Sequence, residues 1–438
     1  MQDKSFVPFT EEMKKEYTIL VPNMLPMHFK LILSIMETRG YKMELLETSG
    51  PQIAETGLKY THNDTCYPAA LVIGQFMDAL LSGKYDPHKT ALIMFQTGGG
   101  CRASNYISLI RKALQKAGME YVPVISFSFA GIEKHPGFKL SLGMLHQMMY
   151  AVLYGDLLMS LVNQVRPYEL QAGEAERKAI EWTTKLGYEL GTSKRISYRK
   201  IKKNYGDIVR DFANIPTEKR DTVKVGIVGE IFVKYSPLGN NDLERFLVQE
   251  GAEVVVPGLF DFLLYTVYNQ LMEYDVYKMH RISDPFVRFL YRMFCGKKND
   301  LSRAMSRDGH FEGATPFEKT VSLTDGLIHC AVKMGEGWLL TAEMMELAES
   351  GCKNIVCTQP FGCLPNHICG KGMMKPIKEI KHDVNIVAID YDAGASRVNQ
   401  ENRLKLMLAN AKKKKASGEN SEKLPQYQTD AAETAVPC

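Results

Sequence analysis

Short apolar runs alternate with stretches of helical periodicity along most of this chain, and that alternation limits the folds open to it more than any other feature. YTILVPNM (17–24) leads into the helical pattern MHFKLILSIMETRG, which ends at Gly40, and YKMELLET (41–48) is the next run. Residues 67–82 have amphipathic spacing; ALIMFQ (91–96), the helical ASNYISLIRKALQKAG and the run YVPVISFSF follow. Short, continuously apolar runs read as strands buried on both faces, while the intervening spacing reads as helix. Strands joined by helices of this length pair in parallel, because each crossover places a helix on a face of the sheet. The expected fold is therefore α/β, with two or more doubly wound parallel-sheet (Rossmann-like) domains and a helical insert.

The 438 residues are divided by this pattern. Residues 15–132 form a first α/β domain. From 133 to 220 no strand pattern interrupts LSLGMLHQMMYAVLYGDLLMSLVNQV and EAERKAIEWTTKLGYEL, so this stretch reads as a helical linker or insert. A second α/β domain, 221–410, holds the runs VKVGIVGEIFV, EVVVPGL, NIVCTQP and VNIVAIDYD. Helical patterns rich in Tyr and Phe cover 260–294, and the polar stretch 296–320 reads as a loop or short helices. Residues 411–438 are expected to be a disordered tail. The basic run Lys412–Lys415 ends the last helical pattern, where positive charge complements the helix dipole.

A net charge of +4 with scattered Lys and Arg does not call for nucleic acid. No apolar run reaches the roughly 18 residues of a membrane helix. The N-terminal MQDKSFVPFTEEMKKEY is too charged for a signal peptide, so a cytoplasmic protein is expected. In a reducing compartment the nine cysteines read as free thiols or metal ligands rather than disulfides.

Three cysteines occupy positions where a parallel sheet binds ligands, outside the carboxyl ends of strands or at helix starts. Cys101 follows ALIMFQ across a Gly-rich turn containing Gly99 and Gly100. Cys363 follows NIVCTQP across Phe361 and Gly362. Cys66 lies just before Pro68, which marks the first turn of a helix. A helix N-terminus lowers a thiol pKa and favours the metal-binding thiolate, and this is the expectation for all three. Cys295, Cys330, Cys352 and Cys357 read as small buried hydrophobes, and Cys369 falls on the helix after Cys363. Three converging thiolates suit zinc, copper(I) or an iron-sulfur cluster. The paired C-x₂-C spacing of structural zinc is absent, and His62 or His367 is placed to supply a fourth ligand.

Polar residues at strand ends face the same crevice. Glu230 closes VGIVGE, Glu336 sits between Gly335 and Gly337, and Asp390 and Asp392 close VNIVAIDYD. A carboxylate held in a dry pocket has its pKa raised and can move a proton, so Glu230, Glu336 and His367 are the candidate catalytic residues. The alternative for Glu230 and Asp390 is a helix cap or an ion pair. Gln359, Asn366 and His367 are candidate hydrogen-bond donors to a cluster or substrate.

The motifs HNDTCYP, TGGGCRASNY, the GEG turn at 335–337, QPFGCLPNHICGKGM and IDYDAGASRVNQENRLKLM resemble the 2-hydroxyacyl-CoA dehydratase/benzoyl-CoA reductase superfamily. They are most similar to the dehydratase-like C-terminal region of activase-fused proteins. The resemblance implies a 4Fe-4S cluster on Cys66, Cys101 and Cys363. It also implies low-potential electrons from a separate ATP-dependent activator, itself an iron-sulfur protein, an acyl-CoA substrate for dehydration or reduction, and a homo- or heterodimer. It leaves open a larger double-cubane cluster, with Cys330, Cys357 or Cys369 as extra ligands, and a non-catalytic electron carrier or cluster scaffold. The chain carries no G-x-x-x-x-G-K-[ST] phosphate loop, so ATP hydrolysis is assigned to the activator.

Overall fold

A computed structural model of the chain describes residues 6–95, 101–127, 133–193, 195–279 and 284–417. Its first sheet contains β1 (Thr18–Pro22), β2 (Lys42–Leu46), β3 (Thr90–Phe95) and β4 (Val124–Phe127), paired in parallel in the order β2-β1-β3-β4. The crossovers are α1 (Pro26–Glu37), then α2 (Pro51–Tyr60) and α3 (Tyr67–Leu81), then α4 (Tyr106–Lys116). Three helices follow: α5 (Leu142–Val165), α6 (Glu174–Thr192) and α7 (Tyr198–Ala213). Leu31 and Ile35 of α1 share an apolar cluster with Tyr150, Leu153 and Leu157 of α5 and with Trp182 and Leu186 of α6. The helical layer therefore packs directly on a crossover helix of the first sheet.

The second sheet contains β5 (Val223–Gly229), β6 (Ala252–Val255), β7 (Asn354–Pro360) and β8 (Asn385–Tyr391), again parallel, in the order β6-β5-β7-β8. Both sheets thus have the same topology, and the expected α/β architecture of doubly wound parallel sheets is observed. A short helix, α8 (Ile231–Tyr235), leaves β5, and α9 (Leu259–Tyr277) and α10 (Asp284–Ser306) follow β6. Next come α11 (Gly337–Glu349) before β7, α12 (Leu364–Cys369) after it, α13 (Met374–Ile380) before β8, and the closing α14 (Arg397–Ser417). One apolar cluster joins the two units: Leu71 and Phe76 of α3 belong with Phe232, Val233 and Leu238 beyond β5.

Two local expectations are corrected. Residues 296–306 are not a loop, because α10 runs through to Ser306. Cys295, Lys298, Leu301 and Met305 form its buried stripe, and the lysine that made the stretch look polar faces inward to an ion pair with Asp261. The last helix likewise continues to Ser417, beyond the expected start of the tail. Ala411 is buried, and Lys412 and Lys415 donate to Glu250 O and Thr222 O, each at 2.8 Å. The remainder of that tail, 418–438 with Cys438, lies outside the described residues. Among the described residues no helix is long and apolar enough to cross a membrane.

The helix that presents Cys66 is set by a close backbone approach. A Cβ on Gly57 of α2 would stand 1.9 Å from Ala70 O, and one on Gly74 of α3 would stand 2.0 Å from Ile53 O. Neither obstacle is a flexible side chain, so the helices must part to admit a methyl group. Gly57→Ala is expected to lower stability by about 1–3 kcal/mol, read as a lower urea midpoint. An unchanged midpoint would mean that this contact is looser than drawn.

Candidate functional site

In each sheet the chain reverses its direction of winding between the first strand and the third, β1/β3 and β5/β7, which is where open parallel sheets bind ligands. Cys101 lies beyond β3, while Glu230 and Cys363 follow β5 and β7. Cys101 is the N-cap of the short turn Arg102–Asn105 that leads into α4. Cys363 is the N-cap of α12, and Cys66 that of α3, whose first turn contains Pro68. Glu230 is the N-cap of α8. Gly362, in the turn before Cys363, has φ +71° and open space where a Cβ would point. Gly99 and Gly100 lie outside the described residues.

Two carboxylates connect the parts. Glu230 Oε2 accepts from Val233 N–H at 2.8 Å, so the helix-cap reading of this residue is correct. Glu336 is buried; its Oε1 accepts from Ile231 N–H at 2.9 Å, the residue beside Glu230. Its Oε2 accepts from Asn366 Nδ2 at 3.3 Å, and the same amide reaches Cys363 Sγ at 3.4 Å. On the first sheet's side, the hydroxyl of buried Tyr106 stands 3.6 Å from Cys66 Sγ. Glu230 acts electrostatically on Cys66, Cys101 and Cys363 alike, and Cys101 also feels Cys66. Glu230 thus bears on three thiols drawn from separate stretches of the chain.

Burial sets the protonation of this site. It pushes the Cys66 thiol up, Cys101 up to about 11 and Cys363 up to about 12. The main-chain N–H groups of Ala69, Ala103 and Asn366 oppose this, and Glu230 adds to it at all three. The expectation that helix N-termini would lower these thiols is overturned, because loss of water outweighs a few N–H dipoles when carboxylates stand nearby. Burial also raises both carboxyls, and Glu336 raises Glu230 further. Near neutral pH the thiols hold their protons, and a metal that binds them must displace one from each.

Other candidates are placed elsewhere. His367, on α12, is half-buried and has no hydrogen bond or ion pair to the thiols or carboxylates among the described residues. His62 is exposed beside Asp64 at 3.9 Å. Gln359 does not serve the thiols; it donates to Asp390, which also pairs with Lys371 at 3.2 Å. Cys357 and Cys369 are in the apolar cluster beneath the sheet with Cys352, while Cys295 and Cys330 are buried in the cluster around Trp338. Tyr106 closes the stretch TGGGCRASNY, and its spacing gives no sign that it reaches back to Cys66.

The donor set is three soft thiols; among the described residues, the buried oxygens Asn366 Oδ1 and Thr65 Oγ1 have no hydrogen-bond partner. Sulfur-only donors from separate loops fit an iron-sulfur cluster in kind. Among the described residues no three His, Cys, Asp or Glu side chains close on a single ion. Compared with known proteins, the chain matches no family model and no curated protein.

Proposed function

We propose that this chain is an iron-sulfur protein of the 2-hydroxyacyl-CoA dehydratase type, holding a 4Fe-4S cluster on Cys66, Cys101 and Cys363. The observation that carries this reading is that all three thiols stand at helix or turn N-caps, each under the electrostatic influence of Glu230 beyond β5. Burial of Cys357, Cys369 and Cys330 in apolar clusters favours three ligands over a larger double-cubane set. When bound, the cluster would supply low-potential electrons and one iron open to substrate, received from a separate ATP-dependent activator in the cytoplasm.

The chain's own residues have distinct tasks. Asn366 orients Cys363 and Glu336 through one amide. Tyr106 can donate to the sulfur of Cys66. Glu230 and Glu336, raised by burial, are the groups suited to hold a proton next to a bound acyl-CoA and to release it, giving a lyase or a reductase.

The test is anaerobic purification followed by iron and acid-labile sulfide analysis, with EPR after reduction. The expected result is a brown protein with about four irons and four sulfides per chain, as the proposed cluster requires. A colourless protein holding zinc and no sulfide would overturn the proposal.

A further inference from the structure

β8 is an outer strand of the second sheet, and its main-chain alternation can be followed residue by residue. Asn385 N–H donates to Lys353 O at 2.7 Å and Tyr391 O accepts from Phe361 N–H at 2.8 Å, so both face the β7 side. The residues between them in alternation, Ile386, Ala388 and Asp390, present their N–H and C=O groups to the open edge. Ile386 O accepts from Lys378 Nζ at 3.3 Å and Asp390 O from Gln400 Nε2 at 2.9 Å. Ala388, in the middle, faces a groove of about 650 Å³.

The groove walls are basic. Lys371, Lys375, Lys378 and His382 line one side and Arg403 of α14 the other, with Glu379 the one acidic lining residue, 3.7 Å from Lys375. α13 and α14 cover opposite faces of the sheet: Ile377 packs with Ile386 and Ala388, and Leu404 with Ile389 and Tyr391.

We propose that this edge takes up an extended acidic segment of another protein as an added strand. The lysines are spread along the groove from 371 to 378 instead of meeting at a point, which suits a chain better than a compact anion. A second copy of β8 would bring the same cations face to face. In an added strand, alternate side chains point to opposite faces, so carboxylates reach the α13 lysines on one face and Arg403 on the other. Lysines on a sheet edge deter pairing by apolar strands. Lys378 does so here, and an acidic strand offers it a carboxylate in exchange for Ile386 O.

The probe is a fluorescein-labelled hexapeptide, Glu-Glu-Val-Val-Glu-Glu, whose neighbouring carboxylates point to opposite faces of a strand; it is titrated by fluorescence anisotropy into the full chain without added metal, since the groove does not involve the thiols. Saturable binding is expected, along with slowed amide exchange at Ala388. Affinity should fall about tenfold in Lys375→Glu and in Arg403→Glu, both exposed positions. Ala388→Pro should weaken binding at least as much while the protein stays folded, because it removes only an edge N–H. Absence of saturable binding, equal binding of a Lys/Val peptide, displacement by inorganic phosphate, or unchanged exchange at Ala388 would each overturn the proposal. Should Ala388→Pro fail to fold, the exchange measurement on the unaltered protein decides alone.

Discussion

Cys101→Ala, Cys66→Ala and Cys363→Ala, each purified without oxygen, will lose the reduced-state EPR signal and most of their iron, while Cys295→Ala will keep both. The contrast follows from position. The first three thiols share the influence of Glu230, whereas Cys295 lies in an apolar cluster on α10. A three-thiolate site that loses one thiolate also leaves a hole at a helix start where no other cysteine of the described structure stands ready, since Cys357 and Cys369 are buried in apolar packing. Circular dichroism should show all four proteins folded, because the three proposed ligand thiols are only partly buried and Cys295→Ala removes a single buried sulfur. Full iron in Cys101→Ala would show that the ligand set is wrong, even if the wild type carries a cluster. Equal loss in Cys295→Ala would point to general instability instead of ligation.

The parallel sheets were readable because β-runs such as ALIMFQ and NIVCTQP have unbroken apolar centres and are separated by helix-length spacers, a pattern that few other folds satisfy. The turns bearing Cys101 and Cys363 were readable for the same reason: the end of a buried run marks where ligands bind. The protonation of those thiols was not. It depends on how much water the fold removes and on Glu230 and Glu336, which lie 106 residues apart in sequence and are drawn together where Ile231 N–H donates to Glu336. His367 looked suitable by type and proximity, yet position along a short helix does not fix which way a ring points. Lys298 misled in the opposite direction, since its charge suggested a loop where a buried partner, Asp261, keeps it inside a helix.

The same blindness hides the buried pair from which the second large effect is expected. Lys234 Nζ meets Glu343 at 3.0 and 3.2 Å, and both side chains are almost wholly enclosed. Lys234→Met keeps most of the volume and removes the charge, leaving Glu343 with no cation in contact. Breaking a buried pair from one side costs about 3–5 kcal/mol, because the remaining charge is dehydrated without compensation. The loss will depend on pH. Burial pushes Glu343 up to about 7 even though Lys234 pulls it down, with Asp261 and Glu346 adding to the rise. Without Lys234 it moves higher still. A carboxyl raised on folding favours the folded state below its unfolded value, near 4.3, and that contribution disappears as pH rises through the folded value. The deficit of Lys234→Met relative to wild type should therefore be small at pH 5, where Glu343 is protonated in both, and should grow above pH 7, where only the wild type gains the ionised pair, by up to about 1.4 kcal/mol per pH unit. Urea midpoints at the two pH values measure it. Adding Glu343→Gln should remove the pH-dependent part of the deficit, since no carboxyl is then left to be held protonated by burial. A deficit equal at both pH values, with no recovery in the double variant, would mean that Lys234 acts through packing of its stem and not through its charge.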